Sequence, residues 1–148
     1  MKLTLLQEPN VPETEITIRY TWPDSQLNRL VELIRQRGFS LVGHRDGSQY
    51  QIPLERIHYI DSVDGKTFLY LEKEVYSSRE TLARLEERLK RTAFLRISKN
   101  CILNTDCLVS VRPLFNHRLE ALLSNDEKLI ITRNYIAALK EKLKGELI

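Results

Sequence analysis

The sequence predicts an α+β fold that is mostly antiparallel β, with short helices and a small β-β-α-β addition at the N-terminus. Three observations lead there. Short runs of strand character recur from Gln49 onward, Asp-Gly and Asn-Asp pairs stand between several of them, and only three stretches change to a helical period.

The addition is read first. In EITIRY, Glu15 to Tyr20, Ile16, Ile18 and Tyr20 alternate with Thr17 and Arg19, the period of a half-buried strand. TWPD at 21–24 resembles a helix start with Thr21 as cap. Leu27, Leu30, Val31 and Ile34 then fall on one helical face, and Gly38 ends it. FSLVG returns to strand. Residues 1–43 are therefore expected to form an addition that serves dimerisation or partner binding, and residues 44–148 a second unit.

In that unit strands are expected near 49–52, 56–60, 66–71, 93–97, 107–112, 117–123 and 128–132. Asp46-Gly47, Asp64-Gly65 and Asn125-Asp126 are pairs that tolerate the positive φ of tight hairpins. Residues 77–91 read as a helix: Ser77 and Glu80 have capping-box spacing, Leu82, Leu85 and Leu89 face the core, and Arg84, Glu87, Arg88 and Arg91 face water. In the last helix Ile136, Leu139 and Leu143 share a face, and Gly145 is its stop.

At 148 residues, with 42% hydrophobic and 29% charged, the composition is that of an ordinary soluble globular protein. No apolar run approaches the roughly 18 residues of a membrane span. MKLTLLQEPN lacks the long apolar stretch of a signal peptide, so a cytoplasmic location is expected. Cys101 and Cys107, separated by five residues, fit neither a CxxC redox pair nor a zinc site and read as semi-buried thiols. His44, His58 and His117 stand apart, and no nucleophile elbow, phosphate loop or dinucleotide fingerprint occurs. No catalysis, cofactor, metal or small-molecule substrate is expected. The net charge of +3 says less than its distribution. Residues 46–78 hold three Lys/Arg and six Asp/Glu, whereas residues 79–99 hold seven and three.

The basic excess leads into FLRISKNCILN, Phe94 to Asn104, where Ser98, Lys99 and Asn100 separate two apolar strand-like runs without glycine or proline. That segment, together with IHYIDSVDGKTFLYL, YSSRETLARLEERL and LIITRNYIAALKEKL, is similar in order and spacing to the LytTR family of DNA-binding domains of bacterial transcription regulators. The resemblance covers roughly residues 45 to 145.

The resemblance implies an elongated β-sheet domain whose loops, rather than a recognition helix, enter successive major grooves of double-stranded DNA. Lys99 and Arg133 match base-contacting positions, and Lys66, in the Asp64-Gly65-Lys66-Thr67 hairpin, matches a third DNA-facing loop. A lysine or arginine can donate to guanine N7 and O6. Many family members carry arginine or asparagine where this chain has Lys99. Arg96, Ser98, Asn100 and Asn134 are the expected phosphate contacts, and Arg79 is also within reach of one; Asn104 has a turn-stabilising and a phosphate-binding reading. The forty-three residues ahead of the domain are too few for a receiver domain, so the chain is similar to stand-alone members, some of which answer to a membrane-protein partner. A homodimer on repeated half-sites is expected. The rival from another class is a protein-interaction module docking through Leu27, Leu30, Val31 and Ile34. A single-stranded RNA binder would want exposed aromatics, whereas most of the tyrosines and phenylalanines here fall at strand positions that read as core.

Overall fold

A computed structural model gives the fold of residues 1–11 and 14–144, with the backbone alone for residues 35–38. The elements run α1 (Ser25–Gly38), β1 (Ser40–Arg45), β2 (Ser48–Pro53), a 3-10 turn (Leu54–Arg56), β3 (Tyr59–Val63), β4 (Lys66–Tyr70), β5 (Val75–Ser78), α2 (Leu82–Arg88), β6 (Phe94–Ser98) and β7 (Cys101–Asn104). A second 3-10 turn (Thr105–Cys107), β8 (Leu108–Leu114), β9 (Arg118–Leu123), β10 (Lys128–Ile131) and α3 (Arg133–Lys142) complete them.

The strands form a seven-stranded sheet, β2-β1-β5-β4-β3-β7-β6, and a three-stranded sheet, β10-β9-β8. Every pairing is antiparallel. The middle of the large sheet is buried on both faces, so its strands lose the simple alternation of a one-sided sheet. Ile60, Leu69 and Ile102 join the core under Leu82, Leu85 and Leu89 of the α2 region. Their neighbours Tyr59 and Leu103 pack on the opposite face with Ile97, Leu123, Ile131 and Leu139, where the small sheet and α3 close the second core.

Hairpin chemistry is locally encoded. Asp46-Gly47 and Asp64-Gly65 take positive φ at both residues (51° and 79°; 52° and 76°), the requirement of a primed two-residue turn. The β8–β9 turn is three residues long, between paired Leu114 and Arg118, and takes positive φ at Asn116 and His117 (63° and 56°) without glycine.

Several expectations are corrected. The helix expected over 77–91 begins at Leu82, because β5 takes Val75–Ser78 into the ladder with β4. Ser77 donates its hydroxyl to the His44 carbonyl (3.2 Å), and Thr81 caps the helix by accepting from Arg84 N–H (3.2 Å). Glu80 is bound to Arg84 (3.3 Å) and Arg88 instead of reaching back to Ser77. The strand expected at 56–60 starts at Tyr59, behind the 3-10 turn. Asp24, not Thr21, caps α1 by accepting from Leu27 N–H (2.7 Å). Glu15–Tyr20 forms no strand, since among the described residues it has no ladder partner. The strand expected to close the addition is β1, which lies inside the large sheet between β2 and β5. Gly145 lies outside the described residues.

Candidate nucleic-acid interface

Strand direction decides which loops share an end of the molecule. β3 ends at the Asp64-Gly65 hairpin, and the Ser62 N–H donates to the Asn100 carbonyl (2.9 Å), which sets the β6–β7 turn beside that hairpin. Thr132 N–H donates to the Ile97 carbonyl (3.0 Å), which brings the β10–α3 junction to the same place. The pairing Leu119↔Ile131 carries the β8–β9 turn there too. Lys66, Ser98, Lys99, Asn100, Arg133 and Asn134 are thus gathered at one end, as the sequence reading requires of a common surface.

The β6–β7 turn explains the absence of glycine in Ser98-Lys99-Asn100. Neither Lys99 nor Asn100 has positive φ, and Ser98 pairs with Cys101 across them. The β6–β7 ladder shifts register between Arg96 and Ser98, at Ile97. Ile97 is fully buried, and the irregularity leaves its carbonyl free to bind Thr132. Arg96 supports the turn from below. Its Nε donates to the Ser98 carbonyl (2.8 Å), one terminal nitrogen donates to the Lys99 carbonyl, and the other meets Glu86 Oε1 (3.3 Å). The Ser98 hydroxyl oxygen accepts from Asn100 N–H (3.4 Å).

Charge is distributed unevenly over the arginines and lysines. Arg84 and Arg88 are matched by Glu80, Arg96 by Glu86 and Arg112 by Glu120. Lys66, Lys99 and Arg133 are exposed, and their side chains form no hydrogen bond or ion pair with the described residues. Arg133 and Asn134 are the first two residues of α3, whose first turn holds no acid and whose Thr132 makes no side-chain cap. This leaves amide groups and the positive end of the helix facing outward.

One set of residues at this end went unread in the sequence. Phe115, 90% exposed, Asn116, His117 and Arg118 form the tip of the β8–β9 hairpin; the Asn-His pair was its only turn signal. Arg79 lines a groove with Gly65, Lys66, Ser78 and Thr81. Conversely, Asn104 faces the other end and is buried. It donates to the Ile57 carbonyl (2.9 Å) and accepts from Asp106 N–H (3.0 Å), which is the turn-stabilising reading. A cleft of about 490 Å³ beside it, lined by Leu54, Arg91, Phe94, Asp106 and Leu143, contains none of the expected site residues. Burial, then the Asp61 charge, pushes the Cys101 thiol up to about 12, and burial, then Asp106, pushes Cys107 to about 11. Both stay protonated at neutral pH.

Comparison with known proteins bears on the family and the fold. Residues 47–144 match the family described as the LytTr DNA-binding domain. Sensory transduction protein LytT of Enterococcus faecalis is 29% identical over 94 residues, covering 64% of this chain and 39% of that protein. Transcriptional regulatory protein LytR of Staphylococcus aureus is 28% identical over 104 residues, covering 70% and 42%. A solved LytTr DNA-binding domain from Bacillus cereus has the same fold, with a TM-score of 0.67 at 17% identity over 71% of this chain and 96% of that one. The chain spans about two fifths of the length of the curated relatives it matches.

Proposed function

The chain belongs to the LytTr DNA-binding domain family, and from that premise we propose that it is a bacterial transcriptional regulator that reads double-stranded DNA sequence-specifically with the loops at one end of its sheets. The observation that carries the reading is the convergence of Lys66, Lys99 and Arg133, exposed and without partners among the described residues, at a turn and two element starts whose neighbouring backbone is joined by hydrogen bonds. A cation that is not neutralised inside the protein and is held on a stiff turn can reach a base edge at fixed depth. Lys99 and Arg133 are the principal base readers, with Lys66 beside them. Ser98, Asn100 and Asn134 contact phosphates, the last aided by the α3 N-terminus. Arg96 is a positioning residue rather than the phosphate contact expected from the sequence, because each of its three nitrogens donates within the protein and Glu86 offsets its charge. In the cytoplasm the protein acts as a homodimer on repeated half-sites, and a membrane-protein regulator would bind away from the loop end.

Selection from a randomised duplex pool tests this, followed by titration of the selected site. Enrichment of a repeated motif is expected. Lys99→Ala and Arg133→Ala should each cost roughly 1–3 kcal/mol on that site and relax preference at particular base pairs. Folded variants with wild-type affinity and sequence preference would refute the assignment.

A further inference from the structure

Thr14–Tyr20 has the alternation of a strand, yet its backbone joins neither sheet. Ile16 is 63% exposed, Tyr20 62% and Trp22 79%. A segment of strand period with apolar side chains and no ladder partner is a template for pairing with another chain.

The segment is complementary to itself. Laid antiparallel on a second copy about Thr17, it sets Glu15 opposite Arg19, Ile16 opposite Ile18 and Thr14 opposite Tyr20. Ile16, Ile18 and Tyr20 then share one face, and Glu15, Thr17 and Arg19 the other. A shift of one residue either way destroys the match: it sets Ile16 opposite Thr17 with Glu15 opposite Ile18, or Ile16 opposite Arg19 with Thr17 opposite Ile18. The Thr17-centred register brings each carboxylate to a guanidinium twice in one symmetric contact, as a two-fold interface requires.

We infer that residues 14–20 of two copies pair as an antiparallel β-ribbon about a two-fold axis at Thr17 and thereby make the dimer. This rests on the homodimer reading given above and supplies its interface. A two-stranded ribbon is marginal alone, so its apolar face needs cover. Trp22 and α1, which starts at Ser25 and presents half-buried Leu27, Leu30, Val31 and Ile34, are the nearest source in each chain.

Charge reversal tests the register on the full chain, by sedimentation equilibrium without DNA. Glu15→Arg opposes two arginines and Arg19→Glu two glutamates, and each should weaken dimerisation about tenfold, since two cross-strand pairs change sign together. The doubly reversed protein should recover wild-type association. The two single variants, mixed, should form a heterodimer, because every reversed charge then meets its opposite. A monomeric wild type, single variants that associate normally, or failure of the mixture to pair would overturn the inference. Reversal-insensitive association would point instead to the open edge of β2 or another register. Titration of each variant on a duplex with one half-site separates the two readings. Intact wild-type dimers that bind no duplex would sink the DNA reading alone, and a wild type that is monomeric yet binds one half-site normally would sink the ribbon alone.

Discussion

Arg96→Ala distinguishes a residue that shapes a reading loop from one that grips the DNA. In the folded protein the guanidinium holds the Ser98 and Lys99 carbonyls and meets Glu86 at 3.3 Å, with the arginine side chain 16% and the glutamate 44% exposed. Hydrogen bonds from a charged donor contribute about 1.5–3 kcal/mol each. The pair with Glu86 is half open to water and adds at most about 1 kcal/mol. The sum is an upper bound, because both freed carbonyls lie on a turn that water can reach. A loss of about 2–3 kcal/mol in stability is expected, read by urea unfolding. In binding, the selected site should lose affinity while non-specific duplexes do not, and the slope of log affinity against log salt should stay as in the wild type. Arg96→Lys keeps the charge but cannot span both carbonyls, so it should resemble Arg96→Ala. If instead the salt slope falls by about 0.9 with sequence preference intact, Arg96 neutralises a phosphate and the positioning role is wrong.

Two further outcomes follow from buried groups. Burial first, then the charge of Glu127, raises the pKa of Asp61, with the hydrogen bond to Tyr70 opposing. A carboxyl whose folded pKa exceeds its unfolded value of about 3.9 stabilises most in acid, and that contribution is lost as pH rises through the folded value. Asp61→Asn should remove this loss; thermal melts from acid to neutral pH that parallel the wild type would refute it. Cys101→Ala with Cys107→Ala should bind DNA as before, and oxidant should affect neither protein's binding, since both thiols are held protonated. Oxidant that abolishes wild-type binding and spares the variant would contradict this.

Features that depend on a residue's own backbone preference were legible in the sequence. Asp46-Gly47 and Asp64-Gly65 announced their hairpins because left-handed φ is costly for most other residues. Features decided by distant partners were not. Ser77 and Glu80 satisfy a capping box, yet the ladder of Val75–Ser78 with β4 supplies more hydrogen bonds than the cap would. VYSS is too short and too polar to signal that strand alone. Tyr59-Ile60 and Ile102-Leu103 lose alternation because a second core lies on the far face. At the interface, charge and loop position could be read for Lys66, Lys99 and Arg133. The tip at Phe115–Arg118 could not, since its place beside them depends on the register of the small sheet. Nor could Arg96's inward direction, which follows from the turn it supports.

The bond from Thr132 N–H to the Ile97 carbonyl makes β6 and the start of α3 parts of one frame. Lys99 lies two residues beyond one end of that bond and Arg133 one residue beyond the other. If both read bases, as proposed, neither can slide along a duplex without the other. For a target site this makes spacing as much a part of the message as base identity: a wrong base forfeits one contact, whereas an inserted base pair between the two contacted positions throws one of the pair out of phase and forfeits it whatever the base. Operators recognised by such a frame would drift by substitution over time and seldom by insertion or deletion within a half-site.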